Sequence, residues 1–285
     1  MIASPIAIAC GDADYPPSLL DLPRPPSIIW RIGDLSTLDR PVVAIVGTRK
    51  ATPYGVRVCR ELAGALARAG ACVVSGMARG IDGVAHRGAL DAGGKTAAIL
   101  GTGVDIAYPP SHRRLHASIA ARGLLLSELP PGAHSHGGSF LQRNRLIAAL
   151  ARLTIIIEAP VKSGALSTAE DATDLNRDVG VVPGPIDSPQ SEGSNLLLRD
   201  GAHAIMSAAD AIALLGLTAP VRTLIDPDDP DELRVWQALR AGGPADLDTL
   251  CHRSALPVQR CLAAVTALEL KGSIECALTG EVRMR

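Results

Sequence analysis

Short apolar runs alternate with amphipathic segments through the middle of the chain. Five such runs, each followed by a polar turn, are VVAIVG (42–47), ACVVSG (71–76), TAAILG (96–101), LLLSE (124–128) and LTIIIEA (153–159). The intervening segments have helical lengths, and the first opens with Thr52-Pro53, a helix-start signature. Continuous apolar strands that alternate with helices indicate a parallel sheet covered on both faces. The pattern therefore predicts a doubly wound α/β domain.

The pattern changes towards the end of the chain. VGVVPG (179–184) and the segments from 193 to 216 complete the α/β domain, whereas LTAPVRTLIDPDDPDE is rich in Pro and Asp, which is typical of a linker. The last segment predicts helices near 231–241, 246–253 and 257–271, then a hairpin that turns at Thr279-Gly280, an arrangement typical of a winged helix. The expected organisation is an N-terminal extension (1–40) packed on a main domain (41–215), a linker (216–230) and a small winged-helix domain (231–285).

Composition restricts the class of protein further. Hydrophobic residues make up 47% of the 285 residues and aromatic residues only 2%, so the core must consist of Ala, Val, Leu and Ile. No apolar run reaches the roughly 18 residues of a membrane span, and the first residues lack the basic flank of a signal peptide. We therefore expect a cytoplasmic protein. Its six cysteines include no CxxC pair, which favours reduced thiols and predicts neither a disulfide nor a metal site.

Charge is distributed unevenly along the chain. The formal net charge is −1, but residues 41–215 carry 17 basic and 14 acidic residues. If the chain binds an anion, the main domain is the expected place.

The loop after the first strand of this domain has the composition of an anion site. In a doubly wound sheet, ligands bind at the carboxyl ends of the strands, where loops meet helix starts. Gly47 allows close approach to the backbone, Thr48 offers a hydroxyl and Arg49 offers a planar guanidinium suited to phosphate. The start of the next helix is expected to add free amides. The loop matches neither GxGxxG nor the P-loop.

Two further loops repeat this composition. Ser75, Gly76 and Arg79 follow the second strand, and the loop after LTIIIEA supplies Lys162, Ser163, Gly164, Ser167 and Thr168 at a helix start. Asp82 and His86 lie four residues apart on a predicted helix, a spacing that fits an acid/base couple but arises more often from a helix-surface hydrogen bond. Several loops with a composition suited to bind phosphate along one edge of the sheet favour an extended anionic ligand.

An Arg-Asn-Arg triplet heads the apolar segment SFLQRNRLIAAL (139–150). At about 100° per residue, Arg143 lies on the apolar stripe that faces the sheet, whereas Arg145 points the opposite way. Arg143 is therefore expected to face the crevice, and Asn144 and Arg145 to reach a ligand only if the turn is irregular or the ligand long. The alternative is an internal ion pair of Arg143 with Glu128 or Glu158.

These motifs resemble, in order and spacing, those of the DNA-processing protein A family (DprA, also called Smf). The motifs are GTRKATPYG, SGMARGIDGVAH, GTGVDIAYPP, SELPPG, FLQRNRLIAAL, EAPVKSGALSTAEDA, VVPGPID and GSNLLLRDGA. The resemblance implies an extended Rossmann-like fold that binds single-stranded DNA, forms a homodimer and helps to load the recombinase RecA during natural transformation. It implies no catalytic residue and no cofactor, and many members carry a C-terminal winged-helix domain.

Matching positions carry the family's site residues onto this chain. Gly47, Thr48 and Arg49 resemble its G[ST]R phosphate contact, Arg143, Asn144 and Arg145 its RNR element, and Lys162, Ser163 and Gly164 its KSG loop. The chain departs from the family pattern at Leu141, Ala165 and Gly180, where proline, serine or threonine, and an aromatic residue are usual. Because these changes alter the shape of the site more than its charge, they affect the expected details of ligand contact and not the resemblance itself.

Two other classes of function stay open on sequence grounds. A Rossmann-like nucleotide phosphoribohydrolase would need a catalytic glutamate, for which Glu170 is the possible counterpart. A recombinase-binding scaffold would contact DNA only incidentally. The main domain offers few aromatic residues besides Tyr54, Tyr108 and Phe140, so backbone contacts are expected to dominate DNA binding.

Overall fold

The computed structural model describes residues 4–218, 227–277 and 280–284. These residues form two compact units, one within residues 1–220 and the other within residues 221–285. Of the expected linker, residues 219–226 lie outside the described residues.

A nine-stranded sheet forms the centre of the larger unit in the part of the chain that the structure describes. Its strands are β1 (Ile6–Ala9), β2 (Ile28–Gly33), β3 (Val42–Val46), β4 (Cys72–Ser75), β5 (Lys95–Leu100), β6 (Leu124–Ser127), β7 (Leu153–Ile156), β8 (Asp178–Val181) and β9 (His203–Ala204). Their spatial order is β1-β2-β6-β5-β4-β3-β7-β8-β9. Strands β3 to β9 are parallel, which confirms the predicted doubly wound sheet.

The N-terminal extension belongs to this sheet. Strand β2 pairs antiparallel with β6, and β1 pairs antiparallel with β2. The sequence pattern did not reveal these two strands.

Helices cover both faces of the sheet in the larger unit. They are α1 (Pro53–Arg68), α2 (Ile81–Asp91), α3 (Arg113–Arg122), α4 (Ser139–Leu150), α5 (Gly164–Asp174), α6 (Glu192–Arg199) and α7 (Ala208–Leu214). Helices α4 and α5 pack with one side of the strands, and α1, α2 and α7 pack with the other. The helices expected between the apolar runs are confirmed.

The sequence of strand β3 does not alternate between apolar and polar residues, because both faces of the strand are covered. Val42, Ala44 and Val46 contribute to the core beneath α4 and α5, whereas Val43 and Ile45 contribute to the core beneath α1 and α2. All five residues are buried, so each face of the strand needs apolar side chains.

The order of the strands produces a topological switch point beside β3. From β3 the chain builds outward through β4, β5 and β6, and it then returns to place β7 on the other side of β3. The loops that leave β3 and β7 therefore diverge, and the carboxyl ends of these two strands border a crevice. This is where doubly wound sheets bind ligands.

The smaller unit contains three helices and a hairpin among its described residues. The elements are α8 (Pro230–Gly242), α9 (Leu247–Ser254), α10 (Val258–Leu270), β10 (Ile274–Cys276) and β11 (Val282–Met284). Strands β10 and β11 pair antiparallel, and Ala245 adds a bridge to Val282. This arrangement confirms the predicted winged-helix fold. Of the predicted turn, Thr279 lies outside the described residues.

The described residues contain neither a helix suited to cross a membrane nor a cluster suited to hold a metal ion. No helix there combines the length and the apolar character that a membrane crossing requires. No cluster of three or more His, Cys, Asp or Glu side chains is placed to hold a metal ion in the same part of the chain.

Candidate functional site

A crevice of about 450 Å³ lies at the switch point, between the ends of β3 and β7. It brings together nine of the fourteen residues expected to contact phosphate, namely Gly47, Thr48, Arg49, Arg143, Asn144, Lys162, Ser163, Gly164 and Thr168. Lys50 also lines the crevice and was missed by the sequence analysis, although its position next to Arg49 was a signal for it. The remaining five expected residues lie elsewhere.

Three exposed cations border the crevice. Arg49, Lys50 and Lys162 have exposed side chains, and none of them forms an ion pair with a carboxylate within the described residues. Among the described residues that line the crevice, Asp82 is the one acidic residue, and its carboxylate accepts from backbone amides. The opening therefore presents net positive charge to a ligand.

The start of helix α5 lies open beside these cations. Ser163 caps the helix by accepting a hydrogen bond from the Ala165 amide at 3.3 Å. Gly164 is exposed, and a Cβ added to it would meet no atom closer than 3.8 Å. The positive end of the helix is thus open to a ligand at the point where Lys162 lies.

Asn144 and Thr168 position this helix start. The side-chain amide of Asn144 donates to the Gly164 carbonyl at 3.0 Å, and the Thr168 hydroxyl donates to the same carbonyl at 3.4 Å. Both residues are buried. Since these donors are engaged, the two side chains act by fixing the loop that presents Lys162.

The start of helix α1 differs from the sequence expectation. The buried carboxylate of Glu158 accepts from the Thr52 amide at 2.9 Å and from the Thr52 hydroxyl. A Cβ on Gly55 would lie 2.3 Å from Glu158 Oε2, so the carboxylate packs directly on the first turn. The protein's own anion therefore lies at this helix end, where the Gly55 amide already donates to the Thr52 hydroxyl at 3.1 Å.

Thr48 is also committed to the fold. It is buried, and its hydroxyl donates to Gln190 Oε1 at 2.9 Å while accepting from the Lys50 amide at 3.1 Å. These bonds fix the turn that carries Arg49 and Lys50.

Arg143 lies on the sheet side of α4, as its helical angle predicts. Its guanidinium donates to the Gly76 carbonyl at 2.6 Å and to the Ile99 carbonyl, which belong to the end regions of β4 and β5. Only 5% of the residue is exposed. The alternative of an ion pair with Glu128 or Glu158 is wrong, because those carboxylates bind Arg145 and Thr52.

Asp82 supplies the opposite charge for Arg143. The Asp82 carboxylate accepts from the Gly76 amide at 3.1 Å and from the Ala78 amide at 3.2 Å. Burial raises the pKa of Asp82 and lowers the pKa of Arg143 to about 10, and in each case the opposite charge limits the shift. Arg143 therefore stays charged at neutral pH and holds α4 against the sheet edge.

The loop after β4 does not supply the phosphate contacts that its sequence predicts. Ser75 is fully buried and donates to the Ile45 carbonyl at 2.6 Å, and a Cβ on Gly76 would lie 2.4 Å from the Arg143 guanidinium. Both residues therefore support the fold and do not face the crevice. Arg79 is exposed but does not line the crevice, and neither does Ser167.

Arg145 points away from the crevice, as predicted. It donates to Glu128 at 2.7 Å and to the Arg24 carbonyl at 3.1 Å, and it lines a second groove beside residues 22–27. The triplet thus divides, with Arg143 and Asn144 at the crevice and Arg145 in a separate ion pair.

Asp82 and His86 do not form an acid/base couple. His86 Nδ1 lies 2.7 Å from the Thr96 hydroxyl, and burial lowers the pKa of His86 to about 3. The imidazole is therefore neutral at physiological pH, while Asp82 binds backbone amides.

The fold and the crevice define a Rossmann-like α/β protein with a cationic site at its switch point, joined to a winged-helix unit. A family model for DNA recombination-mediator protein A matches residues 7–216, and one for the DprA winged helix domain matches residues 218–277. The chain belongs to the DNA recombination-mediator protein A family.

Named relatives agree with this assignment. The putative DNA processing protein DprA of Mycobacterium tuberculosis is 40% identical over 88% of this chain and 67% of its own length. Protein Smf of Synechocystis is 43% identical over 75% of this chain, and the match spans about half (54%) of that relative. The DNA processing protein DprA of Streptococcus pneumoniae is 39% identical over 71% of each chain.

Two solved structures share the fold. The X-ray structure of DNA processing protein A from Streptococcus pneumoniae superposes with a TM-score of 0.71 and 37% identity, covering 74% of this chain and 75% of that one. The Helicobacter pylori DNA processing protein A, whose structure is described as revealing a unique single-stranded DNA binding mode, gives a TM-score of 0.68 and 35% identity. That match covers 74% of this chain and 95% of the other.

The two arginines of the triplet should differ in their effect on stability. Arg143→Met removes the donors to two buried carbonyls, so we expect the free energy of unfolding at pH 7 to fall by about 3 kcal/mol. Arg145→Met breaks a half-exposed ion pair and should lower it by less than about 1 kcal/mol. Urea unfolding of both variants, followed by circular dichroism, measures these losses.

The loss in Arg143→Met should also depend on pH. The pKa of folded Asp82 is already raised above its ordinary value, and removing Arg143 raises it further, so the ionised carboxylate destabilises the variant. The deficit relative to wild type should therefore grow as pH rises from 4 to 7. A deficit independent of pH, or a larger loss in Arg145→Met, would contradict the assigned role of Arg143.

Proposed function

We propose that this chain binds single-stranded DNA along the crevice at the switch point, chiefly through the phosphate backbone. The observation that carries the proposal is the grouping of Arg49, Lys50 and Lys162, all exposed, around the open start of α5. Cationic side chains and helix amides bind phosphates whatever the base sequence. The single-stranded DNA binding mode described for the Helicobacter pylori relative supports the same ligand class for this chain.

The distribution of charge favours a single strand over a duplex. Duplex readers commonly insert a basic helix into the major groove. Helix α10, the third helix of the winged unit, contains one basic side chain, Arg260, which is ion-paired with Asp231 at 2.6 Å. The same helix exposes Val258, Leu262 and Leu270, which suit a protein contact better than a groove of DNA.

No observation favours the alternative of a phosphoribohydrolase. The candidate catalytic residue, Glu170, is exposed on α5 and does not line the crevice. A DNA-processing protein that acts by binding fits the grouped cations without requiring a general acid or base.

Removal of the crevice cations should weaken DNA binding. We expect Arg49→Ala and Lys162→Ala each to raise the Kd for labelled oligo-dT about tenfold, because a charge-assisted phosphate contact contributes about 1.5 kcal/mol. Each change should also reduce the slope of log Kd against log salt concentration by about 0.7. Fluorescence anisotropy at several salt concentrations measures both quantities.

Arg122→Ala provides the matched control. Arg122 is an exposed arginine in the last turn of α3, just before β6, and it does not line the crevice. Its loss should leave both the Kd and the salt slope within twofold of wild type. Equal behaviour of all three variants would contradict the proposed site.

The family resemblance extends the proposal to the recombinase RecA and to a homodimer. We infer that the DNA-bound chain recruits RecA and helps it to assemble on the strand, and sedimentation equilibrium would measure the dimer.

Loading of RecA requires that the chain contact both DNA and RecA, whereas a scaffold needs to contact RecA only. The Arg49→Ala/Lys162→Ala double variant should still retain purified RecA in a pull-down but should no longer accelerate RecA filament formation on oligo-dT. Acceleration that survives in the double variant would favour a scaffold, and absence of RecA binding in wild type would contradict the loading proposal.

A further inference from the structure

Four arginines outside the crevice have no carboxylate partner in the part of the chain that the structure describes. Arg79 belongs to the loop after β4, Arg87 belongs to α2, and Arg113 and Arg114 lie in the first turn of α3. Arg79, Arg113 and Arg114 are exposed, and Arg87 is half-buried. None of the four forms an ion pair with a described aspartate or glutamate. This group is called the arginine surface below.

Contacts through His112 bring the arginine surface together. His112 directly precedes α3, and its Nδ1 lies 3.0 Å from the Met77 carbonyl in the loop after β4. A Cβ added to Gly83, in the first turn of α2, would lie 2.6 Å from His112 Cε1 and 3.3 Å from the Arg87 guanidinium. The glycine therefore leaves room for both groups to pack over α2. The loop after β4, helix α2 and the start of α3 thus form one continuous surface.

The start of α3 carries positive charge where a helix disfavours it. The backbone amides give a helix start a partial positive charge, which attracts anions and repels cations. The first turn of α3 nevertheless contains Arg113 and Arg114 and no acidic residue. Arg122, in the last turn, lies at the end of the helix where a cation is favourable. The two arginines at the start therefore do not stabilise the helix, and a bound anion would relieve their repulsion.

The arginine surface continues the sheet edge on which the crevice lies. Strands β3, β4 and β5 are parallel neighbours, so their carboxyl ends lie side by side at spacings of about 5 Å. The loop after β4 packs on the turn that carries Arg49. The Ile81 amide donates to the Thr48 carbonyl at 3.2 Å, and a Cβ on Gly80 would lie 2.3 Å from that carbonyl oxygen. A strand that leaves the crevice past Arg49 in this direction therefore reaches Arg79 next.

We propose that the arginine surface binds the phosphates of the single strand where the strand continues outside the crevice. The proposal rests on the proposed DNA binding and adds the direction in which the bound strand leaves the crevice. Guanidinium groups form strong, charge-assisted hydrogen bonds with phosphate. A polyanion suits the surface better than one phosphate, because the four arginines come from three separate elements. A nucleic acid strand is favoured over an acidic protein because the surface adjoins the turn that carries Arg49.

Strands of two lengths separate the arginine surface from the crevice. Labelled oligo-dT of about 5 nucleotides fills the crevice alone, whereas oligo-dT of about 20 nucleotides also covers the arginine surface. The Arg113→Ala/Arg114→Ala double variant should bind the short strand with the wild-type Kd, and its Kd for the long strand should rise about tenfold or more. For the long strand, the slope of log Kd against log salt concentration should fall by about 1.4, because two phosphate contacts are lost. Fluorescence anisotropy measures these quantities.

Two further variants serve as matched controls. Arg122→Ala removes an exposed arginine from the same helix, about 13 Å along its axis from Arg113, and should leave both Kd values unchanged. Arg113→Lys/Arg114→Lys keeps both charges and should retain most of the salt slope for the long strand. The double alanine variant should unfold at or above the wild-type temperature, because it removes cations from a helix start. Thermal unfolding therefore separates a loss of binding from a loss of folding.

The outcomes distinguish this proposal from the DNA binding on which it rests. An unchanged Kd for the long strand in the double alanine variant overturns the proposal and leaves the arginine surface to an acidic protein. Equal weakening of both strand lengths also overturns it, because the arginines would then act at the crevice. If the short strand binds wild type, and Lys162→Ala weakens it, the crevice stands whichever result the double variant gives. If neither strand binds wild type, DNA binding itself is overturned.

Discussion

The buried guanidinium of Arg143 organises the candidate site. It binds the carbonyls of Gly76 and Ile99, which end two neighbouring strands, and so fixes the first turns of α4 on the sheet edge. That turn carries Phe140 at the crevice and Asn144 against the start of α5. Loss of this one anchor would release both Phe140 and the contact of Asn144 with the start of α5. Arg143 therefore positions groups that line the crevice, and its charge is balanced by Asp82.

Of the two helix starts at the crevice, one is occupied by a carboxylate and the other is open. Glu158 occupies the start of α1, whereas the start of α5 is open and flanked by Lys162. A helix end filled by a buried carboxylate has no remaining attraction for phosphate, so the attraction is concentrated at α5 and at the exposed Arg49. The chain's overall charge of −1 does not oppose this, because the cations that matter are local and unpaired among the described residues. The positions of these cations, and not the net charge of the chain, therefore determine where an anion is attracted.

Sequence patterns predicted much of the fold and part of the site. The parallel strands and their helices were found because burial on both faces leaves continuous apolar runs, and helical periodicity correctly separated Arg143 from Arg145. Strands β1 and β2 were missed, since β1 is short and mostly exposed and the segment between the two strands is rich in proline. Ser75 was misjudged because residue type alone does not say whether a hydroxyl faces the core. Glu158 reaches Thr52 across 106 positions, a contact that no local pattern encodes.

The central claim is that phosphate binds at the start of α5 and not at the start of α1. Amide chemical shifts of the ¹⁵N-labelled protein, followed during titration with oligo-dT, test it residue by residue. The account predicts the largest shifts at Gly164 and in the turn that carries Arg49, with little change at Gly55 and Val56 in the first turn of α1. Large shifts in that first turn, with Gly164 unmoved, would contradict it.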